Sequence, residues 1–336
     1  MKDCAGVVRV ALVGVGGHGL TIRDAVRATP GLQVRGVYDP DEGAAQAAAG
    51  LFGCAVSASY EALLAREDLE AVVLVTPNAL HRSQAEAAFR AGLDVFVDKP
   101  LANTVADGRA MVDAAEAAGR LLMVGHNMRR GRAARMVKQW LSDRRIGRLV
   151  SIDLHFSTDT AARLSPTSWR LQPDACPLLP VMQLGIHAID LVHYWQGPVA
   201  AVQVFTASVT TPPEVVDSVA AAFRTHDGVL GTLVSNYCTP VVFSYRLAGT
   251  DGVITGTPHR CVLQPVRGLD ARGEGEGEAH DFTAYDLEFY DRQMAAFDEA
   301  VRTRIPPETD GHAGLQALAV VEALHQAAET GLAQTV

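Results

Sequence analysis

Six residues, Gly14-Val15-Gly16-Gly17-His18-Gly19, form the first chemically readable pattern in the chain. They follow the apolar run Val7–Val13 and open a stretch of helical character. In that setting the first glycine permits a tight turn. The second lets backbone approach a pyrophosphate, and the third lets helix and strand pack closely. Helix N–H groups and the helix dipole then stabilise the bound negative charge. Gly14, Gly16, Gly17, His18 and Gly19 are therefore expected to bind a dinucleotide. Asp39 closes the next apolar run, 25 residues after Gly14. A carboxylate there accepts the hydrogen bonds of an adenosine ribose diol and repels a 2′-phosphate, which favours NAD over NADP. Arg23 and Arg35 lie near enough in sequence to soften that preference. Read alone, the loop also suits another nucleotide or S-adenosylmethionine.

The elements that position this loop alternate. Val7–Val13, Leu32–Tyr38, Ala71–Val75, Asp94–Val97 and Leu121–Val124 are apolar runs of strand length, with a short strand near Ala55-Val56. Helical stretches lie at about 19–29, 41–52, 79–91 and 104–118, and a shorter one runs from an N-cap at Ser59 to Arg66. Strands buried on both faces and separated by helices specify a doubly wound parallel sheet, a Rossmann domain. Near residue 125 the pattern changes. A helix covers about 131–143, after which Val150, Ile152, Leu154 and Phe156 alternate with polar neighbours. A broken, Pro-containing stretch covers 164–180 and a helix about 181–195. Strand-like runs near 200–208, 217–225, 229–236, 241–248 and 261–266 predict a mostly antiparallel sheet. The low-complexity stretch Arg272–Glu278 reads as a surface loop, and helices at about 285–302 and 312–330 finish the chain. The expected fold is α/β, with a dinucleotide-binding domain over 1–125 and a substrate-binding and oligomerisation domain over 126–336.

Composition agrees with two globular domains. The chain has 336 residues, 48% hydrophobic and 20% charged. Its formal charge of -9 argues against a nucleic-acid partner, whose phosphates need a basic face. Five cysteines, an odd number without zinc-ligand spacing, predict neither a disulfide framework nor a metal site. Val7–Val13 is too short to span a bilayer and lacks a small-residue cleavage site after it. No membrane association is expected, and the cytoplasm is the default location.

Three further segments narrow the reading. They are Val75-Thr76-Pro77-Asn78-x-x-His81, Asp98-Lys99-Pro100 and Gly185-Ile186-His187-Ala188-Ile189-Asp190. With Asn127-x-Arg129 and Trp169-Arg170, in this order and over nearly the whole length, the chain resembles the Gfo/Idh/MocA family, the glucose–fructose oxidoreductase and inositol dehydrogenase group. The resemblance implies a Rossmann domain followed by an α/β domain with a large open sheet. It also implies NAD(P), sugar-like or cyclitol substrates, and homodimers or homotetramers built through that sheet.

Oxidising a secondary alcohol needs a hydride acceptor, a base for the hydroxyl proton and positive charge beside the developing alkoxide. Lys99 follows a parallel strand at its C-terminal end, where ligands bind in such sheets. The resemblance makes it the catalytic lysine and its neighbour Pro100 a residue that is often cis. His187 has the ordinary pKa for proton exchange near neutrality. The family match makes it the acid/base. The resemblance also implies that Thr76, Pro77, Asn78, His81, Asp98 and Asn127 contact the cofactor, and that Trp169, Arg170, Gln183 and Asp190 serve the substrate; read without it, Asn78 is equally a plain N-cap and Trp169 an ordinary core residue. Continued as an α-helix, the segment puts Gln183, His187, Asp190 and Tyr194 on one face. Asp190 either orients the imidazole or holds its helix to the sheet. Arg129 and Arg130 either bind an anionic substrate group or are exposed.

Two departures stand out. Many members carry aspartate four residues before the catalytic histidine, and here the position is Gln183, which cannot take a proton. The family's glycine triplet falls on Pro177-Leu178-Leu179, a stiffer and more apolar wall. A substrate unlike plain glucose or inositol is expected. Besides a dehydrogenase, the family allows a redox-neutral NAD-using glycosidase or lyase, and a non-enzymatic NAD(P)-binding regulator.

Overall fold

The computed structural model describes residues 6–266, 277–282 and 288–336. Cys4, positions 272–276 of the low-complexity stretch and the expected helix start at 285 lie outside the described residues. The chain forms two compact units. One comprises Met1–His126 and Glu288–Leu315, the other Asn127–Leu287 and Gln316–Val336.

In the first unit the strands are β1 (Val8–Val13), β2 (Leu32–Tyr38), β3 (Ala55–Val56), β4 (Ala71–Leu74), β5 (Asp94–Val97) and β6 (Leu122–Val124). They form one sheet in the order β3-β2-β1-β4-β5-β6, with every pairing parallel. Helices α1 (Gly19–Arg27), α2 (Glu42–Phe52), α3 (Tyr60–Leu64), α4 (Asn78–Arg90) and α5 (Val105–Ala118) connect them. Side-chain caps fix where several helices begin. Asp41 Oδ1 accepts from the Ala44 N–H, Ser59 Oγ from Ala62 and Thr104 Oγ1 from Asp107, each at 3.1 Å. All four residues of β4 and of β5 are buried, as a sheet covered on both faces requires. The cover includes α8 (Glu288–Thr303), whose Phe297 meets Phe96 of β5 edge-on with ring centroids 5.8 Å apart. Beyond its end, Arg304 pairs with the buried Asp94 and donates to the Gly119 carbonyl at 3.1 Å.

The second unit holds α6 (Arg132–Ser142), α7 (Ile186–Trp195) and most of α9 (Gly311–Thr330). Its strands are β7 (Leu149–Ser157), β8 (Val199–Ala207), β9 (Ser218–Thr225), β10 (Leu230–Asn236), β11 (Val242–Gly249), β12 (Gly252–Thr257), β13 (Arg260–Pro265), β14 (Glu278–Asp281) and β15 (Gln334–Thr335). The nine-stranded sheet runs β14-β13-β12-β11-β7-β10-β9-β8-β15, antiparallel except where β7 meets β10. One face buries Ile152, Leu154, Leu233, Leu247 and Ile254. Trp195 of α7 packs against Tyr245 and donates from its indole to the Ala134 carbonyl at 3.0 Å, tying α7 to α6. The opposite face carries Asp153, Thr232 and Arg246, with Phe205 and Leu230 exposed.

Three strands depart from expectation, the short β15 beyond the last expected helix among them. β12 escapes a hydrophobicity reading because Gly252 and Gly256 interrupt it. At Gly252 a Cβ would press on the Gln264 carbonyl at 2.8 Å, so close strand packing sets that residue. β14 begins at Glu278, inside the stretch expected to be a surface loop, and pairs with β13.

Candidate active site

In the first unit the glycine loop leaves β1 and enters α1. Gly14 has φ +80° and donates to the Tyr38 carbonyl at 3.0 Å. A Cβ at Gly14 would overlap the Val75 carbonyl, and one at Gly19 would overlap that of Gly14. The turn therefore admits only glycine at both positions. Asp39 Oδ2 accepts from the Val15 and Gly16 N–H groups at 2.8 and 3.3 Å, while Oδ1 accepts from Asp41 at 2.9 Å. A Cβ at Gly17 would meet nothing within 4 Å, so the loop is open on that side. The loop's own bonds leave the N–H groups of Gly17 and His18 for a ligand. This arrangement fits a pyrophosphate. Arg23 pairs with Asp24 at 2.9 Å and Arg35 with Asp68 at 3.0 Å, so both cations are committed away from Asp39.

The C-terminal ends of β4 and β5 carry the next group. Asn78 opens α4, is buried, and its Nδ2 has no partner among the described residues. Asp98-Lys99-Pro100 follows β5, and the Lys99-Pro100 peptide is cis. Gly125 leaves room for this turn, since a Cβ there would lie 2.8 Å from Asp98 Oδ1. His18 Nε2 stands 3.7 Å from that same oxygen. Tyr290 of α8, which the sequence reading missed, packs its ring 5.8 Å from that of His18. Pro77 caps α4, and Thr76 Oγ1 is bonded to Gln84 at 2.6 Å.

His81 has a task the sequence did not reveal. It is buried, with Nδ1 2.9 Å from the Pro100 carbonyl and Nε2 2.9 Å from that of Thr76. The ring thus links the turn after β4 to the turn that carries Lys99. Burial lowers its pKa, while the bonds to the Thr76 and Pro100 carbonyls oppose that shift.

In the second unit His187 lies in the first turn of α7, buried, with its ring 5.9 Å from that of Phe156. The residues just before it, Val181–Gly185, form a π-helical turn in which the Ile186 N–H reaches the Val181 carbonyl. This corrects the expected continuous α-helix. The 100° phase that aligned Gln183 with His187 starts only at Ile186. Gln183 is turned instead toward the broken loop, where its Nε2 donates to Cys176 Sγ at 3.4 Å. Its Oε1 accepts from Arg170 Nε at 3.5 Å, and the Arg170 guanidinium stacks 4.7 Å above the Trp169 ring. Leu178, within the Pro177-Leu178-Leu179 segment, holds φ +49°, a conformation in which glycine is unstrained.

The alternatives left open for Asp190 and Arg129 resolve into a pair. Arg129 Nε donates to Asp190 Oδ2 at 2.9 Å and its Nη2 to Oδ1, with both side chains buried. Asp190 therefore anchors α7 to the short turn Met128–Arg130, and Arg129 and Arg130 are buried, not exposed. Asn127 is buried at the head of that turn. Tyr194 packs under the guanidinium groups of Arg129 and Arg135, at 5.4 and 5.2 Å. Cys176, which holds the Gln183 amide, carries no local sequence signal, since its position depends on chain folding.

The oxidoreductase family with an NAD-binding Rossmann fold, Gfo/Idh/MocA, matches residues 8–126, and the Gfo/Idh/MocA C-terminal domain matches residues 134–255. The chain belongs to the Gfo/Idh/MocA family. It is an NAD(P)-dependent oxidoreductase, and residues 8–126 are the family's NAD-binding domain. It is 30% identical to the 1,5-anhydro-D-fructose reductase of Ensifer adhaerens, over 92% of each chain. It is 29% identical to the D-xylose 1-dehydrogenase (NADP(+)) 2 of Haloferax volcanii, over 96% of this chain and 98% of that one. A levoglucosan dehydrogenase solved with NADH and levoglucosan shares the fold, with a TM-score of 0.90 at 22% identity over 98% and 99% of the two chains.

Proposed function

We propose that this oxidoreductase transfers a hydride between NAD(P) and a CH–OH carbon of a sugar-like or cyclic polyol substrate. The observation that carries the reading is Lys99, presented from the end of β5 in the same unit as a loop built for a pyrophosphate. When bound, the nicotinamide supplies the hydride acceptor or donor. Lys99 places positive charge beside the substrate oxygen and stabilises the alkoxide as it forms. His187 exchanges the hydroxyl proton. Gln183 cannot take that proton, so His187 and Lys99 carry the acid/base work. His81 holds the turn on which Lys99 stands. The names of the Ensifer and Haloferax relatives, a reductase and a dehydrogenase of sugars, support a sugar-like substrate.

In the same reading Gly14, Gly16, Gly17, His18 and Gly19 hold the pyrophosphate, and Asp39 holds the adenosine ribose. Thr76, Pro77, Asn78, Asp98 and Asn127 complete the cofactor contacts. Trp169, Arg170 and Gln183 face the substrate. The open face of the second unit's sheet pairs subunits into a homo-oligomer that works in the cytoplasm. No helix among the described residues is long and apolar enough to cross a membrane.

The test is a panel of sugars and cyclitols offered with NAD and with NADP, read by NADH or NADPH absorbance and by product analysis. NADH that accumulates in step with an oxidised product supports the reading. Substrate consumption that needs NAD but accumulates no NADH and gives a product of unchanged oxidation state contradicts it, and favours the redox-neutral class.

A further inference from the structure

Arg170 is a cation that its surroundings do not neutralise. It is half-buried between the Trp169 ring, 4.7 Å away, and the Gln183 amide, whose Oε1 meets Nε at 3.5 Å. Both neighbours are uncharged. Burial raises the pKa of nearby Tyr237, so its phenol also stays neutral. The carboxylate of α7, Asp190, is already bound by Arg129, and Asp159 pairs with Arg163 at 2.6 Å. Among the described residues Arg170 makes no ion pair, and neither Nη atom has a hydrogen-bond partner. The stacking and the Nε bond fix the guanidinium plane. What remains is its Nη edge, two parallel donor groups whose spacing matches the two oxygens of a carboxylate. Gln183 makes this possible. An aspartate at 183 would place a negative charge where the neutral Oε1 now stands and would neutralise the arginine.

We propose that the substrate of this enzyme carries a carboxylate, as a sugar acid or uronate does, and that Arg170 is the residue that reads it. The proposal rests on the oxidoreductase reading above and names its substrate class. Cys176 serves it by holding the Gln183 amide with Oε1 toward Arg170.

The experiment compares matched neutral and acidic probes, D-glucose with D-glucuronate and D-galactose with D-galacturonate. Each is tested for turnover with NAD and, separately, for binding to the protein–NADH complex by calorimetry. The expected result is that at least one acid is preferred over its neutral partner by about tenfold or more in kcat/KM. Arg170→Met and Gln183→Asp should each collapse that preference, mainly through KM, and weaken calorimetric binding of the acid by about 10-fold to 100-fold. Arg170→Lys, which keeps the charge but not the fork, should recover part of it. Neutral sugars preferred over acids, or a preference that survives Gln183→Asp and Arg170→Met, overturns the proposal while leaving hydride transfer standing. Arg170-dependent binding of an acid without turnover of any probe supports the proposal and counts against the catalytic reading.

Discussion

At Asp39 one carboxylate shapes the loop and, in the proposed reading, also holds the ribose. Its oxygens accept from Val15, Gly16 and Asp41, which holds the glycine loop in shape. Oδ2 already accepts two N–H groups but Oδ1 only one, so capacity remains on Oδ1 for a ribose hydroxyl. Arg23 and Arg35 are each paired with a carboxylate other than Asp39, which weakens their pull on a 2′-phosphate. Asp39→Ala should therefore lower kcat/KM for NAD by about tenfold or more and lower it less for NADP, a change read from initial rates with both cofactors. An unchanged NAD-to-NADP ratio would contradict the assigned role. The positions of Asp39, the glycines and Lys99 at strand ends were legible in the sequence because apolar runs and glycine spacing mark them locally. The seat of the His81 ring between two turns was not, because Thr76 and Pro100 lie on separate strand ends that only the fold brings together.

The elements explain why His187 is held still. α7 is buried over most of its length, and the Arg129–Asp190 pair anchors it three residues beyond His187. Two buried charges gain little over an apolar pair, but removing one strands the other. Arg129→Met should cost about 3–5 kcal/mol of stability, measured by denaturant unfolding, and Asp190→Asn in that background should restore part of it. A loss below about 1 kcal/mol would place the anchoring of α7 elsewhere. Runs such as Ala71–Val75 and Asp94–Val97 gave their strands almost to the residue, because burial on both faces leaves an uninterrupted signal. The turn at Val181–Gly185 did not show itself. Its residues are as apolar as the α-helix that follows, and the extra residue of a π turn has no compositional mark.

At the scale of the molecule the chain returns to where it began. Residues Glu288–Leu315 belong to the first unit, and Phe297 there packs on Phe96. An amphipathic helix read from sequence shows that a face is buried but not which sheet buries it, so this return was not legible. The order of motifs was, and it carried the family, the parallel sheet and the open antiparallel sheet. In the proposed mechanism Lys99, at the C-terminal end of β5, is the residue on which hydride transfer depends. The most direct test of that role is to compare wild type and Lys99→Met on one substrate from the panel, following NADH formation, with NADH binding measured in parallel by fluorescence. The expected result is a loss of about 10²-fold to 10⁴-fold in kcat with cofactor binding retained. Equal turnover by the two proteins would contradict it.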